Sequence, residues 1–107
     1  MKIVRNNIIP FKGFAAINIC GTLFVRENIK INDVLMNHEK IHTAQMKELG
    51  YFLFYLIYLL EWLFRALLTK DAFSHKAYRN ISFEKEAYDN QNNLNYLKDR
   101  HGYAMWK

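Results

Sequence analysis

The stretch "NDVLMNHEKIHTAQMKELG", residues 32–50, decides how the rest of the chain is read. Asn32 or Asp33 suits a helix N-cap, because a short polar side chain there accepts a hydrogen bond from the free N–H groups of the first turn. Gly50 supplies a natural C-terminal stop. Between them, Leu35, His38, His42, Gln45 and Leu49 recur at alternating spacings of three and four, which places them on one stripe of a helix. Lys40 and Lys47 fall on the solvent side. The two histidines therefore lie in line with apolar residues, and the pattern predicts that they face inward or into a cleft.

Upstream, "KIVRNNII" (residues 2–9) reads as a first strand broken by Pro10 and "FKG". "FAAINICGTLFVREN" then reads as a hairpin with strands over 14–19 and 22–26, turning at Cys20 and Gly21. Residues 27–32 connect it to the helix. Downstream, "YFLFYLIYLLEWLFRALLTK" (51–70) predicts a second helix, apolar on nearly every face. A polar loop over 71–80 leads to a third helix that starts near Asn80 or Ser82 and runs to about Asp99. Gly102 ends it before an aromatic tail, "YAMWK". Strands followed by helices in 107 residues give an α+β class and a single domain over 1–107, with room for one core.

Fifteen Lys and Arg against ten Asp and Glu leave a formal charge of +5. The basic residues are scattered singly and no Gly-rich phosphate loop accompanies them, which argues against a dedicated nucleic-acid groove. A lone cysteine, Cys20, excludes an internal disulfide framework and is expected as a small buried side chain. The N-terminal residues lack the apolar region of a secretory signal. Together these features predict a reducing, cytoplasmic setting. From Leu49 to Leu60 twelve residues carry no charge, a length typical of a core helix rather than a span, and Glu61 and Arg65 follow at i,i+4 spacing. The 51–68 helix is expected to sit in the core with a homodimer partner completing its cover, or else to make a peripheral membrane contact.

Within the first helix, "HEKIH" brings chemistry. Residues four apart project from the same face, so His38 and His42 offer two imidazole nitrogens to one point. Glu39 is rotated by about 100° and reaches a water on a metal rather than the metal itself. Shuffled chains of this composition would carry the pattern roughly once in a hundred, so the motif alone does not decide the matter. A catalytic zinc site needs a third protein ligand, with the fourth position open. His75 and His101 are candidates, and so are the glutamates of "NISFEKEAYDNQ" (80–91). Glu84 shares a helical face with Ala87, Tyr88 and Gln91, and the small alanine permits close approach to the histidine helix. Glu86 points about 200° away, toward a salt bridge or a supporting role.

"HEKIH" and "FEKEAY", separated by a long apolar helix, resemble the gluzincin group of zinc metallopeptidases. The likeness is to its very short members, the minigluzincins, and to the H-E-x-x-H plus E-x-E-A pattern of several membrane-linked peptidase families. Most of the chain also resembles small uncharacterised bacterial proteins of Bacteroides-like genomes, which bring no substrate with them. The resemblance implies Zn2+ held by His38, His42 and Glu84, Glu39 as general base, and a peptide or protein substrate. It implies a small antiparallel or mixed sheet packed on the active-site helix, with the glutamate-bearing helix behind. A substrate peptide would add to an edge strand of that sheet, nominated here as 22–26.

The families place an aspartate four residues after the ligand glutamate to orient a zinc-bound histidine. This chain has Tyr88 there and Asp89 one later, so Tyr88 or another group must do the orienting. Tyr78, Arg79, His75 and Tyr88 are candidate donors to a developing oxyanion, and the aromatic tail is a candidate occupant of the cleft in a latent form. The competing expectation is a non-catalytic interaction protein, membrane-associated through 51–68.

Overall fold

The computed structural model describes residues 1–9, 16–69 and 79–106. Three strands, β1 (Lys2–Asn6), β2 (Ala16–Ile19) and β3 (Thr22–Arg26), precede α1 (Asp33–Glu48) and α2 (Phe52–Thr69). α3 (Ser82–Asn90), a single turn α4 (Tyr96–Asp99) and a 3-10 turn (Ala104–Trp106) follow among the described residues. The class is α+β, as the order of the patterns predicts.

The sheet is mixed, in the order β1-β3-β2. β2 and β3 are antiparallel, with Ile17 opposite Phe24 and Asn18 opposite Leu23, and β1 lies parallel to β3, with Ile3 beside Leu23. Cys20 and Gly21 both have positive φ, 51° and 90°, the conformation a two-residue hairpin turn needs to match strand twist. Leu23 and Val25 are buried. The nominated edge strand 22–26 is instead the central strand, because β1 occupies the side of β3 that local sequence left open. The edge beside the histidine helix belongs to β2. The Tyr55 hydroxyl takes part of that edge, accepting from the Cys20 N–H and donating to the Asn18 carbonyl. Cys20 is exposed at the hairpin tip rather than buried.

α1 begins as expected, with Asn32 Oδ1 accepting from the Leu35 N–H at 2.8 Å. Gly50, at φ 69°, ends it, and Tyr51 N–H closes onto the Met46 carbonyl. α1 and α2 then diverge by 111°. The core gathers where they separate, around Met46, Phe54, Ile81, Phe83 and Met105, with Tyr58 and Trp62 packed against it. α2 supplies only one face to this core. Phe52, Leu60, Phe64 and Leu67 on its other face are exposed. No single helix among the described residues is long and apolar enough to cross a membrane.

The predicted third helix is two pieces. It stops at Asn90, where the side-chain amide of Asn37 on α1 donates to the carbonyls of Asn90, Gln91 and Asn93. Those carbonyls are diverted from helical partners, and asparagine favours such turns over helix interiors. The aromatic tail packs on the core: Trp106 lies against Phe83 and donates to Ser82 Oγ, and the Tyr103 N–H donates to Glu48. It is a structural closure on α3, not the cleft occupant expected of a latent form.

Candidate metal centre

α1 and α3 bring three side chains with metal-ligand chemistry to one point: His38, His42 and Glu84, all buried. The two Nε2 atoms are 3.1 Å apart, and Glu84 Oε1 lies 3.2 Å from His38 Nε2 and 2.9 Å from His42 Nε2. Tetrahedral ligands at about 2.0–2.1 Å from a zinc ion are about 3.3 Å from one another. The triangle formed by these atoms is therefore close to one face of a zinc tetrahedron, needing outward shifts of a few tenths of an ångström.

Hydrogen bonds at the far side of each ring explain why the Nε2 atoms converge. His42 Nδ1 meets Gln45 Oε1 at 2.8 Å, and His38 Nδ1 meets Gln91 Oε1 at the same distance. The amide nitrogen of Gln45 donates to the Phe83 carbonyl and to Glu86 Oε1, so its oxygen must be the atom facing His42. An amide oxygen only accepts, which puts a proton on His42 Nδ1, and on His38 Nδ1 where Gln91 presents its oxygen, and leaves the Nε2 lone pairs of the neutral rings toward Glu84. Tyr58 Oη donates to Glu84 Oε2 at 2.7 Å, turning Oε1 to the histidines. Three electron-rich atoms then face one another, an arrangement that requires a cation, either a metal ion or a proton.

Ionisation follows the same geometry. Burial pulls the His42 imidazolium down, but Glu84 as ion-pair and hydrogen-bond partner, with Glu39 and Gln45 adding to it, lifts the pKa to about 9. Burial raises Glu84, while the His42 charge and the hydrogen bonds it shares with His38, His42 and Tyr58 outweigh it and hold the carboxyl well below the usual range. Glu39 moves the other way. Burial lifts it, the His42 and His38 charges oppose the lift, and Glu84 adds to it.

The stability of the metal-free protein depends on pH through these groups. Glu84, lowered in the fold, stabilises above its ordinary value of 4.5, and that contribution fades as pH falls below it. His42, raised, stabilises fully below 6.5 and loses that contribution as pH rises through about 9. Glu39, also raised, contributes fully below its ordinary 4.5 and loses that contribution as pH rises above it. Thermal melts in chelator should peak between about pH 4.5 and 6.5 and fall toward pH 9, whereas zinc, competing with the His42 proton, should stabilise most at the alkaline end.

The other sequence candidates separate cleanly. Glu86 is buried but belongs to a different cluster: Arg100 Nε donates to its Oε2 at 2.6 Å, and Tyr96 and Gln45 donate to the same carboxylate. These bonds overcome burial and keep its pKa low. Glu86 thus supports Gln45, which supports His42. His101 is exposed and outside the cluster. His75 and Tyr78 lie outside the described residues. Tyr88 stands edge-on to the His38 ring at 4.7 Å, with the Arg79 guanidinium 4.2 Å from its own ring centre. Tyr88 shapes the wall beside His38, while Gln91 makes the orienting hydrogen bond. Sequence reasoning placed Gln45 and Gln91 on the right faces but did not assign them as histidine partners; the only signal was a glutamine on each ligand-bearing stripe.

Comparison of the chain with protein-family models, with curated proteins and with solved structures gives no match. The functional reading therefore rests on the site. Removing either amide oxygen frees a ring to rotate and changes its tautomer. Gln45→Ala and Gln91→Ala should each weaken zinc affinity by about 10–100-fold, read by competition with a chromogenic chelator.

Proposed function

We propose that this chain is a zinc-dependent peptidase of gluzincin type, with zinc held by His38, His42 and Glu84. The observation that carries the proposal is the convergence of both Nε2 atoms and Glu84 Oε1 within about a hydrogen-bond length of one another, with each Nδ1 already engaged. Two nitrogens and one carboxylate oxygen, with a fourth position open, form the donor set of a hydrolytic zinc site. Zinc bound there supplies Lewis acidity, lowering the pKa of a water ligand toward about 7 and polarising a carbonyl.

The remaining work falls to protein side chains. Glu39 follows His38 on α1, and the Asn18 side chain holds that turn by donating to the Glu39 carbonyl at 2.9 Å. Its raised pKa brings the carboxylate nearer to neutral pH, where it both takes a proton from the attacking water and returns it to the leaving amine. Glu84 keeps its negative charge, and Tyr58 fixes which oxygen it presents. A peptide running in extended form along the sheet would use the β2 edge ahead of Asn18, since the Tyr55 hydroxyl engages the edge at Asn18 and Cys20. A cytoplasmic setting belongs to the same proposal.

The test is hydrolysis of a mixed peptide library by the purified chain, followed by mass spectrometry. Cleavage that disappears with a chelator and returns with stoichiometric zinc supports the reading. A zinc-loaded protein that cleaves nothing in the library reduces the site to a structural metal centre.

A further inference from the structure

α2 turns Tyr58 and Phe54 toward the protein and a continuous apolar face toward solvent. That outer face has a pattern of its own. Leu53, Leu56, Leu60, Leu63 and Leu67 follow one another at spacings of three, four, three and four, the a/d repeat of a helix that packs against another helix. Phe52, Leu59 and Phe64 flank the stripe, and all eight side chains are exposed, Phe52 by 73 % and Leu67 by 79 %. With Leu68 they present roughly 900 Å² of apolar surface, against about 300–600 Å² for the largest patch on a typical monomer. A standard protein interface takes about 800 Å² from each partner.

We propose that α2 is a self-association helix, and that two copies of this chain pair along the Leu53–Leu67 seam as an isologous homodimer. Three observations select a second copy as the occupant. The spacing is that of knobs entering the holes of a facing helix, which lipid does not require. The flanking positions are apolar, so identical helices meet with no like-charge clash across the seam. The two charged residues of α2 are not on this face: Glu61 accepts from Ser82 at 2.6 Å and Arg65 is half-buried. A helix lying in a membrane surface carries basic side chains along the border of its apolar stripe. The outer face of α2 from Phe52 to Leu68 has none.

Tyr58 lies on the opposite side of α2 from the seam and holds Glu84. One helix thus serves the partner on one face and the candidate metal ligand on the other. The dimer stands whether or not the site binds metal.

The experiment is sedimentation velocity on the full chain at micromolar concentration in detergent-free buffer, beside Leu60→Glu. Leu60 is near the middle of α2, so it meets its own counterpart whether the helices run parallel or antiparallel. The expected result is a wild-type dimer, at least a 100-fold weaker dimer for Leu60→Glu, and unchanged far-ultraviolet circular dichroism. In a Cys20→Ser background, Leu60→Cys should cross-link on mild oxidation and Lys47→Cys should not. A monomeric wild type overturns the proposal, as does a dimer indifferent to Leu60→Glu or open-ended aggregation. Flotation of monomer with phosphatidylcholine/phosphatidylglycerol vesicles would assign the face to lipid instead. A monomer whose melting temperature falls with Leu60→Glu would show that the chain covers the face itself.

Discussion

Glu39→Gln is expected to keep its zinc and lose hydrolysis by about 10²–10⁴-fold, the contribution of a well-placed general base. The amide matches the carboxylate in size, and the hydrogen bond to Glu39 from Asn18 is to the main chain, so α1 keeps its geometry. The side chain is outside the ligand triangle. Removing its charge also removes one of the influences that raise His42, so zinc competes with a slightly more acidic imidazolium and affinity should hold or improve. A kcat loss with normal metal content separates a base from a ligand. The measurement is kcat on the best library substrate beside metal content of the same preparation. Equal loss of zinc and activity would move Glu39 into the coordination shell, and full activity would remove it from the mechanism.

Arg100→Ala should be among the most destabilising single changes in the chain, by about 3–5 kcal/mol, the cost of leaving a buried charge without its partner. The Arg100 guanidinium is buried between two carboxylates, 2.6 Å from Glu86 Oε2 and 2.8 Å from Glu48 Oε1. Without it, Glu86 keeps the Tyr96 and Gln45 hydrogen bonds but no cation. The effect should travel along a short chain, from Glu86 to Gln45 and from Gln45 to His42. Urea unfolding of the metal-free protein reads the stability term, and zinc affinity reads the transmitted one. Arg100→Lys restores a charge without the planar fork that reaches both carboxylates, and should recover only part of either. A change within about 0.5 kcal/mol would mean that the cluster is solvated in solution and contributes little.

The residues also show what local pattern can and cannot convey. The limits of α1 follow from Asn32 and Gly50, because caps are local chemistry, and the hairpin follows from two residues able to adopt positive φ. That Glu84 and Glu86 serve different clusters follows from their angular separation of about 200° on one helix. Which of them meets the histidines rests on the small Ala87 beside Glu84 and on the family resemblance, and the structure brings Glu84 to the histidines and Glu86 to Arg100. Sheet order does not follow in this way. The parallel pairing of β1 with β3 is a long-range event, and it turned a presumed edge strand into the central one.

The end of α3 was hidden for a related reason. The groups that capture its last carbonyls belong to Asn37, fifty-three residues before Asn90, and no local signal joins them. The same capture carries Gln91 to His38, so the break and the missing histidine partner have one cause. Cys20 was misplaced because an alternating strand pattern says which residues share a face, not that the turn between two strands is covered.

The central claim is a metal held by His38, His42 and Glu84, and the most direct measurement is the elemental content of purified protein, wild type beside Glu84→Ala and Glu86→Ala. The account predicts one zinc per chain in the wild type, its loss in Glu84→Ala, and its retention in Glu86→Ala under conditions where that variant remains folded by circular dichroism. A folded wild type that takes up no metal at neutral pH with zinc supplied would contradict the account and leave the three side chains as a proton-bridged structural cluster.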